Sequence, residues 1–140
     1  LRDRVCAVSN KTHYNEMNVL SMHALIGAYQ PQGYEWVDEL NQVLAGNIEY
    51  FCDYVDEHFE GVSYSRPQGT YMVFLDCTEW CREHGRDIQW LLDEGARVGV
   101  GYQDGRPFHG PCHIRVNLAL PLSRVREACD RLDRYVFNAR

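Results

Sequence analysis

The sequence predicts an α+β fold: a small antiparallel or mixed sheet of three to four strands with helices packed on one face, preceded by a long linking helix. Three observations carry that expectation. Apolar residues recur at steps of three and four from Tyr34 to Phe59, the period of one long amphipathic helix. They alternate instead at Ile114, Val116, Leu118 and Leu120, the signature of a strand with one buried face. The strand-like segments follow one another closely enough for antiparallel pairing.

Taken in order, residues 1–13 are mixed and polar without a sustained period, and they read as a connecting segment. Asn15 to Asn18 offer a helix start, and Asn18 suits the N-cap because its side-chain oxygen can accept an orphan backbone N–H. Gln30-Pro31-Gln32-Gly33 interrupts that helix. The long helix then turns Trp36, Val37, Leu40, Val43, Leu44, Ile48, Phe51, Cys52, Val55 and Phe59 inward. Its acidic run (Glu35, Asp38, Glu39, Glu49, Asp53 and Asp56) is a solvated face, not a metal site. Gly61 stops it. Val62 to Arg66 and Thr70 to Asp76 form a hairpin turned through Pro67-Gln68-Gly69. The second of these strands is apolar on both sides, so it is expected to be central and covered on both. Helices follow over Thr78 to His84 and Asp87 to Glu94, then a strand over Val98 to Val100 and a loop over 101–111. The alternating strand ends at Pro121, which has no N–H to give the ladder. Ser123 caps a last helix with Val125, Ala128, Cys129, Leu132, Tyr135 and Val136 inward.

Composition narrows the function classes. With 45% hydrophobic and 12% aromatic residues in 140, the chain has material for a real core, which excludes disorder. A net charge of −6 with dispersed acids lacks the basic footprint of a nucleic-acid binder. No apolar run reaches the length of a membrane span and no signal peptide opens the chain, so a cytoplasmic protein that binds neither membrane nor nucleic acid is expected. Leu1 at the start, with Lys11 the only lysine, suggests a piece of a longer protein. The six cysteines lack the spacing of a disulfide scaffold, and reduced thiols are expected, with Cys52, Cys112 and Cys129 as small buried hydrophobes. Cys77, Cys81 and His84 form the one metal-like cluster; without a second pair at a distance it argues against zinc, and no metal site is expected.

His113, Arg115 and Asn117 fall on the polar face of the alternating strand. An arginine fixed on a strand can receive a carboxylate through two parallel charge-assisted bonds. It can equally be a surface residue or half of an ordinary ion pair, and spacing alone leaves both open.

Four stretches bear on that choice: Asn18-Val19-Leu20 with Ala24 and Ala28-Tyr29; Gly33-Tyr34-Glu35-Trp36-Val37-Asp38-Glu39-Leu40 with Asn47; Pro67-Gln68-Gly69-Thr70-Tyr71-Met72-Val73-Phe74-Leu75-Asp76; and Arg115-Val116-Asn117-Leu118-Ala119-Leu120-Pro121. In this order, over about residues 15–137, they resemble the C-terminal part of pyridoxal-phosphate-dependent enzymes of fold type I, the class I/II aminotransferases, and within them the cystathionine β-lyase-like C–S lyases. The resemblance implies that residues 1–33 lead out of a large cofactor domain and that 34–140 form the small C-terminal domain. It implies pyridoxal 5'-phosphate in the full-length enzyme and none held by this chain alone, an amino-acid substrate, transamination or β-elimination, and a homodimer. Arg115 would grip the substrate α-carboxylate. Asn18 would approach the partner's cofactor phosphate, beside its plain role as a cap, and Gly69 would let the backbone near the active site, beside its plain role in a hairpin. No catalytic residue is expected within these 140. The cofactor lysine would lie upstream, Lys11 matches no motif, and the chain alone should be inactive. One departure stands out. Gly101-Tyr102-Gln103-Asp104-Gly105 replaces a Pro-Gly in a loop that touches substrate in the family, so side-chain preference does not carry over. The residues on their own also fit a small non-catalytic α+β binding or regulatory module.

Overall fold

The long amphipathic repeat does fold as one helix, and it runs through both compact units, Leu1–Leu40 and Asn41–Arg140, of a computed structural model that describes residues 1–13 and 17–139. The first unit is helical: α1 (Arg2–Thr12), α2 (Val19–Ala28) and the opening of α3 (Pro31–His58). The expected connecting segment is therefore α1, a correction with a plain cause. Only Ser9 in it is buried, so it has no apolar stripe to reveal it, while Asp3 and Lys11 complement the helix dipole at its two ends. Asn18 caps α2, its Oδ1 accepting the Ser21 N–H at 2.8 Å. Asn15, where that helix was expected to begin, lies outside the described residues. Pro31 opens α3, where its missing N–H costs nothing. A Cβ on Gly33 would fall 1.9 Å from the Ala28 carbonyl oxygen, so this turn accepts only glycine.

Within α3 the stripe is buried at Asn47, Phe51, Cys52 and Val55, whereas Trp36, Val37 and Val43 are exposed. Periodicity names the apolar face of a helix; it does not say how much of that face is covered.

The second unit holds a four-stranded sheet of order β1-β2-β4-β3, antiparallel throughout, from β1 (Ser63–Tyr64), β2 (Met72–Asp76), β3 (Gln103–Asp104) and β4 (His113–Asn117). Val73, Leu75, Ile114 and Val116 are buried on one face, in a core shared with α3, α4 (Thr78–His84), α5 (Ile88–Arg97) and α6 (Leu122–Leu132). β2 is central, but it is sealed on one side only: Met72, Phe74 and Asp76 are half-buried on the other. Val98–Val100 is not a strand. Val98 caps α5 and Gly99 has φ +76°, which breaks any extended run. The strand comes later, as β3 within the expected loop, followed by a 3₁₀ turn at Arg106–Phe108. Two residues are too few to show alternation.

α6 starts at Leu122 with Pro121 in the cap position and no side-chain cap, so Ser123 lies within the helix. A π turn over Asp133–Phe137 continues it. The extra residue in that turn slips the inward face, which exposes Tyr135 and buries Phe137 against Phe59 with ring centroids 4.3 Å apart. Among the described residues no helix is long and apolar enough to cross a membrane.

Candidate substrate-carboxylate site

β4 lies between β2 and β3, and Arg115 sits at its middle, paired across the sheet with Phe74 on one side and Gln103 on the other. The strand beyond it is pinned. Asn47, fully buried on α3, donates through Nδ2 to the carbonyls of Leu118 at 2.9 Å and Leu120 at 2.8 Å. The Leu118 N–H donates to Tyr71 at 2.9 Å, and Asn117 Oδ1 accepts the Ala119 N–H at 2.8 Å. These bonds fix where β4 stops and so where Arg115 points. Asn47 is thereby a structural residue of the site.

The open face of the sheet carries the polar alternation: Phe74 and Asp76 on β2, and His113, Arg115 and Asn117 on β4. The Arg115 guanidinium lies 4.0 Å from the centroid of the Phe108 ring. Its Nε and Nη2 both donate to Gln103 Oε1, Nε at 2.6 Å. Among the described residues it has no carboxylate partner, and no bond engages Nη1. Other arginines differ: Arg106 pairs with Asp104 at 2.7 Å, Arg97 with Glu94 at 2.6 Å and Arg66 with Asp53 at 2.9 Å. Arg115 thus stands on a rigid strand with no acid beside it among the described residues, which is what an anion receptor requires.

His113 stands two residues back on the same face. Its ring is 4.7 Å from that of Phe74, its Nε2 is 3.8 Å from Asp76 Oδ2, and its buried Nδ1 has no hydrogen-bond partner among the described residues. A Cβ on Gly110 would come within 2.5 Å of Phe74 and 2.6 Å of His113, so glycine there lets the Gly105–Gly110 loop close on the sheet and deliver Phe108 to Arg115. Burial pushes the Asp76 carboxyl up, but the Thr78 N–H and hydroxyl and the nearby His113 outweigh it and hold the group below its ordinary value.

The other sequence-derived positions fall elsewhere. Asn18 belongs to the first unit, with Oδ1 committed to capping α2. A Cβ on Gly69 would meet nothing, so the hairpin does not demand glycine; the residue borders a groove of about 550 Å³ with Asn41, Glu49 and Arg66. Lys11 is exposed on α1. Of the metal-like trio, Cys77 and Cys81 are buried, and desolvation pushes both thiols up toward the neutral form. His84 instead stacks on Trp80 at 4.4 Å and bonds its carbonyl through Nδ1. Sequence reasoning missed Gln103 and Phe108. The one signal that pointed their way was the departure at 101–105, since neither residue takes part in a periodic pattern.

No family model matches the chain. Among curated proteins, one from Mycobacterium leprae named "Putative cystathionine beta-lyase" is 35% identical over 124 residues, 77% of this chain and 30% of the relative. Among solved structures, a pyridoxal-phosphate-bound C–S lyase from Staphylococcus hominis aligns at TM-score 0.77 and 23% identity, over 91% of this chain and 33% of that one. A pyridoxal-phosphate-bound "putative aminotransferase" from Clostridium difficile 630 aligns at TM-score 0.79 and 24% identity, over 94% and 34%. The chain therefore spans about 30% of the length of the curated relatives it matches, and it is similar to the C-terminal part of pyridoxal-phosphate-dependent aminotransferases and C–S lyases in sequence and in fold.

Proposed function

We propose that this chain is the carboxylate-binding C-terminal part of a pyridoxal-phosphate-dependent aminotransferase or cystathionine β-lyase-like C–S lyase that acts on amino acids. The observation that carries the reading is Arg115: a guanidinium held on the central strand β4, stacked on Phe108, with no carboxylate partner among the described residues. An amino-acid α-carboxylate is the planar, singly charged anion that such a fork accepts. Binding it there orients the rest of the substrate, and orientation is a large share of catalysis when the breaking bond must align with an electron acceptor.

The cofactor itself does not fit on this chain. A pyridoxal-phosphate site needs an enclosed lysine amine, and Lys11, the only lysine, is exposed on a surface helix. The electron-sink chemistry belongs to the cofactor, and in this reading it is bound by the part of the enzyme matching the remaining length of the relatives, so the chain alone is inactive. Residues 1–33 lead from that part and 34–140 are the small domain. The enzyme is a cytoplasmic homodimer, and Asn18 reaches the partner's cofactor phosphate through Nδ2, the atom its capping bond leaves available for an anion.

A binding experiment on this chain tests the carboxylate assignment. Titration with L-alanine should move the Arg115 Nε–Hε resonance in a saturable way, and L-alaninamide, which lacks the carboxylate, should leave it in place. Equal responses to the two, or none, would overturn the reading.

A further inference from the structure

The carboxylate reading leaves open which edge of the guanidinium receives the anion, and Gln103 answers it. We infer that Gln103 is a positioning residue for Arg115, an inference that rests on the carboxylate reading above: its amide oxygen holds the Nε–Nη2 edge, so that a carboxylate is received end-on across Nη1 and the second N–H of Nη2.

The register alone sets up the contact. Gln103 and Arg115 are direct partners across the β3–β4 pair, so their side chains stand on the same face and side by side. One oxygen, Gln103 Oε1, accepts from both Nε and Nη2. Phe108 supports the guanidinium from below, at 4.0 Å. Two restraints from two directions fix the plane of a long side chain that is otherwise free to sample many rotamers. The edge that Gln103 occupies is one of the two on which a bidentate carboxylate could dock; among the described residues no hydrogen bond engages Nη1 on the other.

The choice of a neutral amide matters as much as its place. On the same short strand, Asp104 binds Arg106 through both carboxylate oxygens to Nε, at 3.0 and 2.7 Å, and makes a full ion pair. An acid at 103 would do the same to Arg115 and cancel the charge that attracts the substrate. Glutamine supplies the hydrogen-bond acceptor without the neutralising charge.

Variants separate the possibilities. The probe is sodium acetate, titrated into this chain at constant ionic strength with chloride as the balancing anion, and followed by backbone amide shifts at Phe108 and along His113–Asn117. Gln103→Ala should raise the acetate dissociation constant about three- to tenfold and speed exchange of the Arg115 Nε–Hε proton with water, with the β4 amide pattern intact. Gln103→Glu should keep the same fold and abolish saturable binding. A merely structural glutamine would not separate the two variants this way, because alanine removes the bond whereas glutamate keeps it. Binding that Gln103→Ala leaves unchanged or tightens would overturn the positioning role and mark Gln103 as a bystander or a competitor for the anion's edge. Failure of the underlying reading looks different: the native chain would show no saturable response, or Arg115→Ala would retain it.

Discussion

The two faces of the sheet are built from alternate residues of the same strands, and they have opposite characters. On one, Val73, Leu75, Ile114 and Val116 are buried beneath the helices, with Leu75 and Ile114 fully inaccessible. On the other, Phe74, Asp76, His113, Arg115 and Asn117 stay half-buried or exposed, and Arg115 has no counter-charge among the described residues. A step of one residue along β4, from Ile114 to Arg115, crosses from packing to chemistry. The buried face supplies rigidity, and the open face uses it to hold a charge in place.

If that division is right, substitutions on the two faces should fail in different ways. Leu75→Ala should cost about 2–5 kcal/mol of unfolding free energy, read from the urea midpoint, because the helices above cannot collapse fully into the void. A cost under about 1 kcal/mol would mean that face is loosely covered. Asn47→Ala leaves two carbonyls at the end of β4 without their donor and should cost about 1–3 kcal/mol, with faster amide exchange at Leu118. Unchanged exchange there would show that Asn47 does not pin the strand.

Asp76 makes the open face sensitive to pH. Its carboxyl is held below the ordinary value near 3.9, so the stability it adds is present above that value and is lost as pH falls through the folded-state pKa. Asp76→Asn should therefore be less stable than the native chain near neutral pH, and the two should converge in acid once the pH has fallen below the folded-state value of Asp76. A gap that persists in acid would assign the loss to packing. Arg115→Ala should change stability least, by no more than about 1 kcal/mol, since it removes a half-buried side chain whose bonds to Gln103 and ring contact with Phe108 all lie at the surface.

Where the sequence was legible, the residues themselves show why. Helix α3 and β4 each carry an apolar period that burial enforces, the hairpin is marked by Pro67-Gln68-Gly69, and the strand with Arg115 on its polar face follows from Ile114, Val116 and Leu118. Helix α1 was illegible because only Ser9 is buried in it, and β3 because two residues cannot alternate. The sealing of α3 from Asn47 onward, with Trp36 and Val43 left exposed, depends on the reach of other elements, which no local pattern encodes. The immediate setting of Arg115 was hidden for a related reason. Gln103 arrives by strand register and Phe108 by a glycine-lined loop, both set by tertiary pairing across twelve and seven residues of sequence.

Whether Arg115 receives the carboxylate is decided by the steady-state constants of Arg115→Ala, measured in the longer enzyme proposed to contain this chain. Loss of a charge-assisted pair to the α-carboxylate predicts a KM for the amino acid raised at least about tenfold, with a smaller fall in kcat. An unchanged KM would contradict the assignment of Arg115 as the carboxylate receptor.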